Sequence, residues 1–405
     1  MNNRAPHGAR AATAGAFMSL TIALGAVSPA IAAEWFLETT ADVTGTYDDN
    51  IRLDPDNNED VFGVIVAPVL DLHGRGQNWD VIFTTDLALG RYTEDSSLDS
   101  EDVRFLLDTS YRTQRNEFGL NAEASRVSTL YTESTDSGDF DANADRDLFS
   151  FEPYWSHQLS ERDFLNFGGG YTIANFDTDE LEDFEQFYGT AGYARKVTQA
   201  DLVSLNLSAV GFISKQEDPV NVDLDSQLYS VTVGWERDFS ERLRTNLVVG
   251  PRYYTTEQVG PGPGNPIVDD DSFGFIFEAE VEYDLDERTT MSLLARHDVD
   301  PTSGGTPVQR NAVEFDASHQ FLPRWFGGLN LYFQVDDDPN GGSDSNQDRN
   351  FLSVEPQITY QVLQELDLQA SYRFRTQKED SEDRAYSNAV FVSLIYRLPK
   401  WTFGH

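Results

Sequence analysis

The stretch Leu37-Glu38-Thr39-Thr40-Ala41-Asp42-Val43-Thr44-Gly45-Thr46-Tyr47 decides the fold. Leu37, Thr39, Ala41, Val43, Gly45 and Tyr47 fall on one face, and Glu38, Thr40, Asp42, Thr44 and Thr46 on the other. Successive side chains of a strand point to opposite faces, so this period makes a strand with one apolar and one wet side. The pattern returns at 61–72, 78–92, 101–112, 116–131, 147–158, 163–177, 183–197, 201–215 and 225–238. It continues at 242–255, 272–284, 288–299, 309–321, 325–335, 350–362, 366–377 and 385–398. About 18 antiparallel strands in one up-and-down barrel are expected, with 16–18 as the range, spanning a membrane with lipid outside and water inside. A soluble β-protein would also alternate. About 18 strands in one open sheet would be unusual, however, and nothing in the chain marks a second domain.

The connections alternate in kind. Short turns fall at 73–77, 113–115, 159–162, 198–200, 239–241, 285–287, 322–324 and 363–365. Longer acidic or Gly/Pro-rich loops fall between them, among them 48–60, 132–146, 258–271 and 336–349. Outer-membrane barrels have short periplasmic turns and long outer loops, and an even strand number puts both termini on the periplasmic side. The six tryptophans Trp35, Trp79, Trp155, Trp235, Trp325 and Trp401 all fall at strand ends on the short-turn side. Aromatic rings prefer the membrane–water boundary, so these read as a periplasmic girdle. Tyr47, Phe62, Phe149, Tyr229, Tyr253 and Phe273 would form its outer counterpart.

Residues 1–32 read as a signal peptide, with Arg4 and Arg10 in front, an apolar 14–27, and Ala30-Ile31-Ala32 as the cleavage site. Residues 33–405 are then the outer-membrane barrel of a Gram-negative bacterium. The absence of cysteine excludes disulfides, cysteine-ligated metals and a thiol nucleophile. A formal charge of −40 disfavours nucleic acid as a partner, because Lys and Arg carry phosphate binding.

By parity the wet face carries Glu38, Asp42, Asp80, Asp86, Asp108, Glu123, Glu152, Glu236, Glu314, Asp316, Glu355 and Asp367. Glu278, Glu280 and Glu282 form an inward acidic ladder, with Arg244 and Arg252 on the next strand. Arg104, Arg296, Arg373 and Arg375 are also inward. Cross-strand ion pairs that stiffen the wall are one reading of the ladder. A charge-selective constriction is the other, and since acids exceed bases it would favour cations. Small hydrophilic solutes or ions are the expected cargo.

Asp336-Asp337-Asp338-Pro339-Asn340-Gly341 has calcium-loop spacing, with Asp344 at position 9. Asp336, Asp338, Asn340 and Asp344 are the candidate ligands, although position 12 is Gln347 and no helices flank the loop. A solvated acidic turn is the alternative. No other cofactor is expected. Arg91, Arg126 and Lys215 sit on outward parity near the outer rim, where they could meet the phosphates of lipid and lipopolysaccharide. His297 is the one histidine placed to act on outer-leaflet lipid, and no nucleophile motif accompanies it, so no enzymatic activity is expected.

Val43-Thr44-Gly45-Thr46-Tyr47-Asp48-Asp49-Asn50-Ile51 and the strand–turn–strand unit at 63–90 resemble the β-barrel porin families of Gram-negative bacteria. Within them the chain is similar to acidic barrels that occur near exopolysaccharide and exosortase systems. The resemblance implies an outer-membrane location and a role in solute or polysaccharide passage. The alternative function is that of a non-enzymatic partner in exopolysaccharide export or assembly, with 258–271 as the loop best suited to fold inward and close the barrel. Many such barrels end on an aromatic that the insertion machinery reads. Here 399–405 extends past the last expected strand, so that machinery would read Tyr396 or tolerate the tail.

Overall fold

The computed structural model describes residues 33–56, 59–93, 95–132, 144–178, 180–216, 222–259, 268–339, 348–379 and 383–403. The expected signal segment 1–32 lies outside them. The first nine strands are β1 (Glu34–Asp48), β2 (Val61–Arg75), β3 (Trp79–Tyr92), β4 (Ser100–Arg112), β5 (Asn116–Ser128), β6 (Asp145–Gln158), β7 (Asp163–Phe176), β8 (Asp183–Lys196) and β9 (Asp201–Gln216). The next nine are β10 (Val222–Ser240), β11 (Leu243–Val259), β12 (Val268–Asp286), β13 (Thr289–Asp300), β14 (Val308–Leu322), β15 (Trp325–Asp337), β16 (Arg349–Gln361), β17 (Leu366–Glu379) and β18 (Ala385–Arg397). A short β19 (Trp401–Phe403) follows.

Each long strand runs antiparallel to its chain neighbours, and β1 also pairs with β18, so the 18 long strands close into a barrel. Each of the 18 long strands has at least 12 residues, more than the roughly 9–11 that cross a hydrocarbon core when tilted. The outer face is apolar, as Phe62, Val64 and Val66 on β2 and Leu205 and Leu207 on β9 illustrate. Each of the 18 expected segments is a strand. The expected 116–131 is shorter, because β5 ends at Ser128 and the chain turns into one helical turn, Thr129–Thr132. The expected C-terminal overhang is partly a strand as well: β19 adds the pairs Trp35–Phe403, Phe36–Thr402 and Leu37–Trp401 to β1.

Buried apolar side chains cluster at the loop end. Ile51, Val61, Leu98 and Leu130 pack with Tyr92; Leu53, Phe351 and Ala385 pack with Tyr332; and Ala174, Phe184 and Phe212 pack with Phe176. Leu53 enters its cluster with φ of 52°, a left-handed conformation that a branched side chain rarely adopts. At the β10–β11 crossing, a Cβ on Gly250 would collide with the carbonyl oxygen of Val231, so the two backbones approach closely only because that position is glycine.

The closing pair is clasped from above by the segment that follows β1. Asp48, 2% exposed, accepts hydrogen bonds from Arg375 Nη2 (3.1 Å), Ser387 Oγ (2.8 Å) and the Asn50 amide (3.0 Å). Arg373 Nη2 lies 3.5 Å from the same carboxylate. Asp49 accepts from the amide (2.6 Å) and Nδ2 (2.9 Å) of Asn388, and Asn50 Nδ2 donates to the Tyr386 carbonyl (3.0 Å). Removing one member of a buried ion pair leaves its partner charged and unpaired, at a cost of about 3–5 kcal/mol. Asp48→Ala is therefore expected to lower the urea midpoint of the refolded barrel and the temperature at which its compact gel form converts to the unfolded one. Unchanged values would show that the clasp contributes little.

Candidate functional site

The inner wall is the face where chemistry collects. Register confirms the parity read from sequence: Glu38, Asp42 and Asp48 share the inner face with Asp71 of β2, Asp86 of β3, and Arg104 and Asp108 of β4. The wall has four regions.

On β12 the ladder of Glu278, Glu280 and Glu282 faces Val248, Asn246 and Arg244 of β11. Only its lowest member is paired. Arg244 Nη1 lies 3.3 Å from Glu282, and its Nε donates to Asp238 at 3.1 Å. Arg252 stands above the ladder, opposite Gly274, so it cannot stiffen it as the sequence alone would allow. It is 2% exposed and its Nη2 donates to Gln309 Oε1 at 2.7 Å, while Nε and Nη1 have no partner. Glu278 and Glu280 make no ion pair among the described residues. On the β3–β6 wall, Arg104 pairs with Glu123 (3.2 Å), and Asp86 and Asp108 make no ion pair among the described residues.

From β13 to β17 the wall carries an arginine tier below the loops. Arg310 donates to both oxygens of Asp336 (2.8 and 3.1 Å), and Arg296 lies 2.8 Å from Asp300. Arg349 donates to Gln377 Oε1 at 3.0 Å. Arg373 and Arg375 share Asp48. Below this tier opens a cavity of about 470 Å³ lined by Arg296, Glu314, Asn330, Tyr332, Phe351, Ser353, Glu355, Arg373 and Arg375. Arg373 thus faces the lumen as expected. Arg375 also lines the cavity but is only 4% exposed, and Arg252, on β11, is as deeply buried, so both are held by the wall more than they are open to the pore. Across the lumen, β7–β9 presents small uncharged residues such as Asn166, Gly168, Thr190, Gly192, Ser204, Asn206 and Ser208.

Two described loop segments narrow the mouth. Residues 49–56 turn inward over β16–β18, with Arg375 Nη2 donating to the Ile51 carbonyl at 3.1 Å. Residues 301–307, between β13 and β14, reach the rim at β8 and β9. There the Glu182 amide donates to the Ser303 carbonyl (2.8 Å), and Gly305 sits beside Glu182 and Ser214. The loop expected to close the barrel, 258–271, lies outside the described residues at 260–267. The inward role of 301–307 left only Pro301 and Pro307, bracketing Gly304-Gly305, as a signal in the sequence.

All six tryptophans stand at the short-turn end. Trp35 packs at a tilt against Trp79 (5.7 Å) and Trp155 stacks on Phe167 (5.3 Å), while the indole nitrogens of Trp155 and Trp235 donate to Asn116 and Asp201 (3.2 Å each). At the other end Phe273 is 78% exposed.

The calcium-loop reading loses a ligand, because Asp336 is buried at the end of β15 and its oxygens are taken by Arg310 and Gln334. Asn340 and Asp344 lie outside the described residues, and no group of three potential ligands occurs among the described ones. On the outer rim Arg91 contacts Glu101 and Asp99, and Arg126 contacts Asp145 and Asp147, so both charges are already countered by protein; the Lys215 side chain is outside the described set. In the loops, Asp95 caps a short turn, and its carboxyl is held below the usual range by hydrogen bonds from the Ser97 hydroxyl and amide and by Arg52. His297 Nδ1 donates to Asn311 Oδ1 (2.7 Å), and the ring stacks on Phe275 (4.3 Å). Its outward neighbours on β13 are Ala295 and Val299, neither of which is a nucleophile.

A closed antiparallel barrel with an apolar exterior and a charged interior defines a transmembrane β-barrel of porin type. Residues 213–397 match the family model described as "Putative beta-barrel porin 2", which supports that family for this chain. No curated protein matches the sequence. Among solved structures the chain is similar to OccK5 (OpdH) of Pseudomonas aeruginosa, at 10% identity over 90% of this chain and 98% of that one, with a TM-score of 0.43. It is similar to the outer membrane channel DcaP of Acinetobacter baumannii at 13% identity over 91% and 98%, with a TM-score of 0.45. It is also similar to the alcaligin outer membrane receptor FauA of Bordetella pertussis at 11% identity over 89% and 76%, with a TM-score of 0.45.

Asp336→Asn removes the countercharge of Arg310 while keeping the shape. A loss of about 3–5 kcal/mol in unfolding free energy is expected for such an uncompensated buried charge. A urea midpoint equal to that of the parent would show that Asp300 suffices for Arg310.

Proposed function

We propose that the protein is a passive outer-membrane channel for small hydrophilic solutes and ions that prefers cations. The observation that carries this is the contrast between the two kinds of lumen charge. The guanidinium tier near the mouth is countered by Asp48, Asp300 and Asp336. The carboxylates Glu278, Glu280, Asp86 and Asp108 lower on the wall make no ion pair among the described residues, although Arg296 and Arg104 stand across from Glu278 and Asp86. Uncompensated carboxylates raise the local concentration of cations and lower their entry barrier. The barrel sits with its short turns and both termini in the periplasm, its tryptophans at that boundary and its loops outside, among lipid and lipopolysaccharide.

A second reading follows from the inward loops. If 49–56 and 301–307 keep the mouth shut, the barrel serves as a non-enzymatic partner in exopolysaccharide export or assembly, with its loops as the contact surface. Liposome swelling separates the two, because a free channel admits small sugars and a shut barrel does not.

Planar-bilayer measurements in a KCl gradient are expected to give a reversal potential of cationic sign. Glu278→Gln/Glu280→Gln should move it toward zero. An anionic sign in the parent protein would sink the proposed preference. Shortening 302–306 to a two-residue turn is expected to raise single-channel conductance; an unchanged conductance would mean that this loop does not limit the path.

A further inference from the structure

The cavity on the β13–β17 wall has opposite charges that adjoin without pairing. Glu355 of β16 and Arg373 of β17 face each other between the registered pairs Val354–Phe374 and Gln357–Ser371. They nonetheless form no ion pair. Arg373 is drawn upward instead, to Asp48 at 3.5 Å and over the ring of Phe391 at 4.9 Å, and its Nε has no hydrogen-bond partner. Arg296 is likewise held by Asp300. The carboxylates of Glu314 and Glu355 are left facing the cavity with no ion pair among the described residues. The lining itself holds Arg296, Arg373 and Arg375 against Glu314 and Glu355, so both signs of charge face the cavity.

We propose that this cavity binds a small zwitterion, a solute carrying both an ammonium and a carboxylate, such as an amino acid or a short peptide. Its ammonium goes to Glu314 and Glu355, and its carboxylate to the Arg373 guanidinium. Asn330 and Ser353 serve the amide between them. The sign pattern excludes simpler ligands. A lone anion gains Arg373 but meets two carboxylates, and a lone cation gains the carboxylates but meets the guanidiniums. An uncharged sugar meets no repulsion but lacks a charge of its own on either end. Hydrogen bonds with both partners charged are roughly twice as strong as neutral ones, so a zwitterion uses both poles of the site. A volume of about 470 Å³ lies within the usual range of small-molecule pockets. The inference rests on the channel reading only in taking the cavity to be reached by water.

Calorimetry on the full barrel refolded in detergent tests it with glycylglycine, acetate, methylammonium and glucose as probes. Glycylglycine is expected to bind at least roughly tenfold more tightly than the other three, a difference of about 1.4 kcal/mol. Glu314→Gln/Glu355→Gln should lose that advantage while binding acetate more tightly than the parent does. Arg373→Gln should weaken glycylglycine and acetate together. Heat-modifiable mobility identifies folded variants, and the order of the four probes on the parent protein decides the matter if a variant does not fold. Equal binding of glycylglycine and glucose overturns the proposal, as does a double variant that retains the parent order. Failure of the channel reading shows separately, as absent liposome swelling.

Discussion

A strand edge left open in hydrocarbon strands its amides and carbonyls without partners, each at a cost of several kcal/mol. The pairing of β1 with β18 removes that edge, and the rest of the molecule depends on it. Nine registered pairs, from Thr40–Arg397 to Asp48–Ala389, join the two ends of the chain. β19 extends the join at one end, and the Asp48 cluster fastens it at the other. The hydrogen bond from Arg375 to Asp48 spans 327 residues of sequence. It is the side-chain counterpart of the backbone closure, set where the pairing gives way to loop.

Much of this was legible in the sequence for a simple reason. Side-chain alternation with period 2 is a local property, so the inward set from Glu38 to Arg375 could be read without knowing any partner. The tryptophans were legible for the same reason, since each marks a strand end. What alternation cannot show is which inward groups meet water. Arg252, Arg375 and Arg373 all point inward, yet Arg252 and Arg375 are almost wholly buried while Arg373 stays partly open at the cavity. The difference lies in loops that fold over the wall. Ile51 and Ser303 are placed by contacts with Arg375 and Glu182, which no short window of sequence contains. Asp336 misled for a related reason: a ligand-like spacing stood at the end of a strand, where parity turned its carboxylate inward to Arg310.

The arginine tier illustrates a general economy of barrels. An inward-folded loop must bury polar wall, and a buried charge is tolerable only with its partner buried too. Arg310 with Asp336, and Arg375 with Asp48, meet that condition. Arg375 also donates to the Ile51 carbonyl, and so holds the inward segment by a directed bond where a membrane barrel has no thick apolar core to hold it. The segment Val43–Ile51, which carries the likeness to other barrels, has a physical role here beyond pattern: its last four residues hold the mouth and the closing strands together.

The small, uncharged wall of β7–β9 lies across the lumen from the β13–β17 cavity. A solute in such a barrel feels an off-axis potential, deep on one side and nearly flat on the other. For the passage of solutes proposed above, this means a lateral rail instead of the central axis, with the smooth side setting only the clearance. Width and discrimination are thereby placed on different strands. Enlarging a serine on β9 would throttle flux while leaving the preference among solutes unchanged, so the two properties are free to evolve separately.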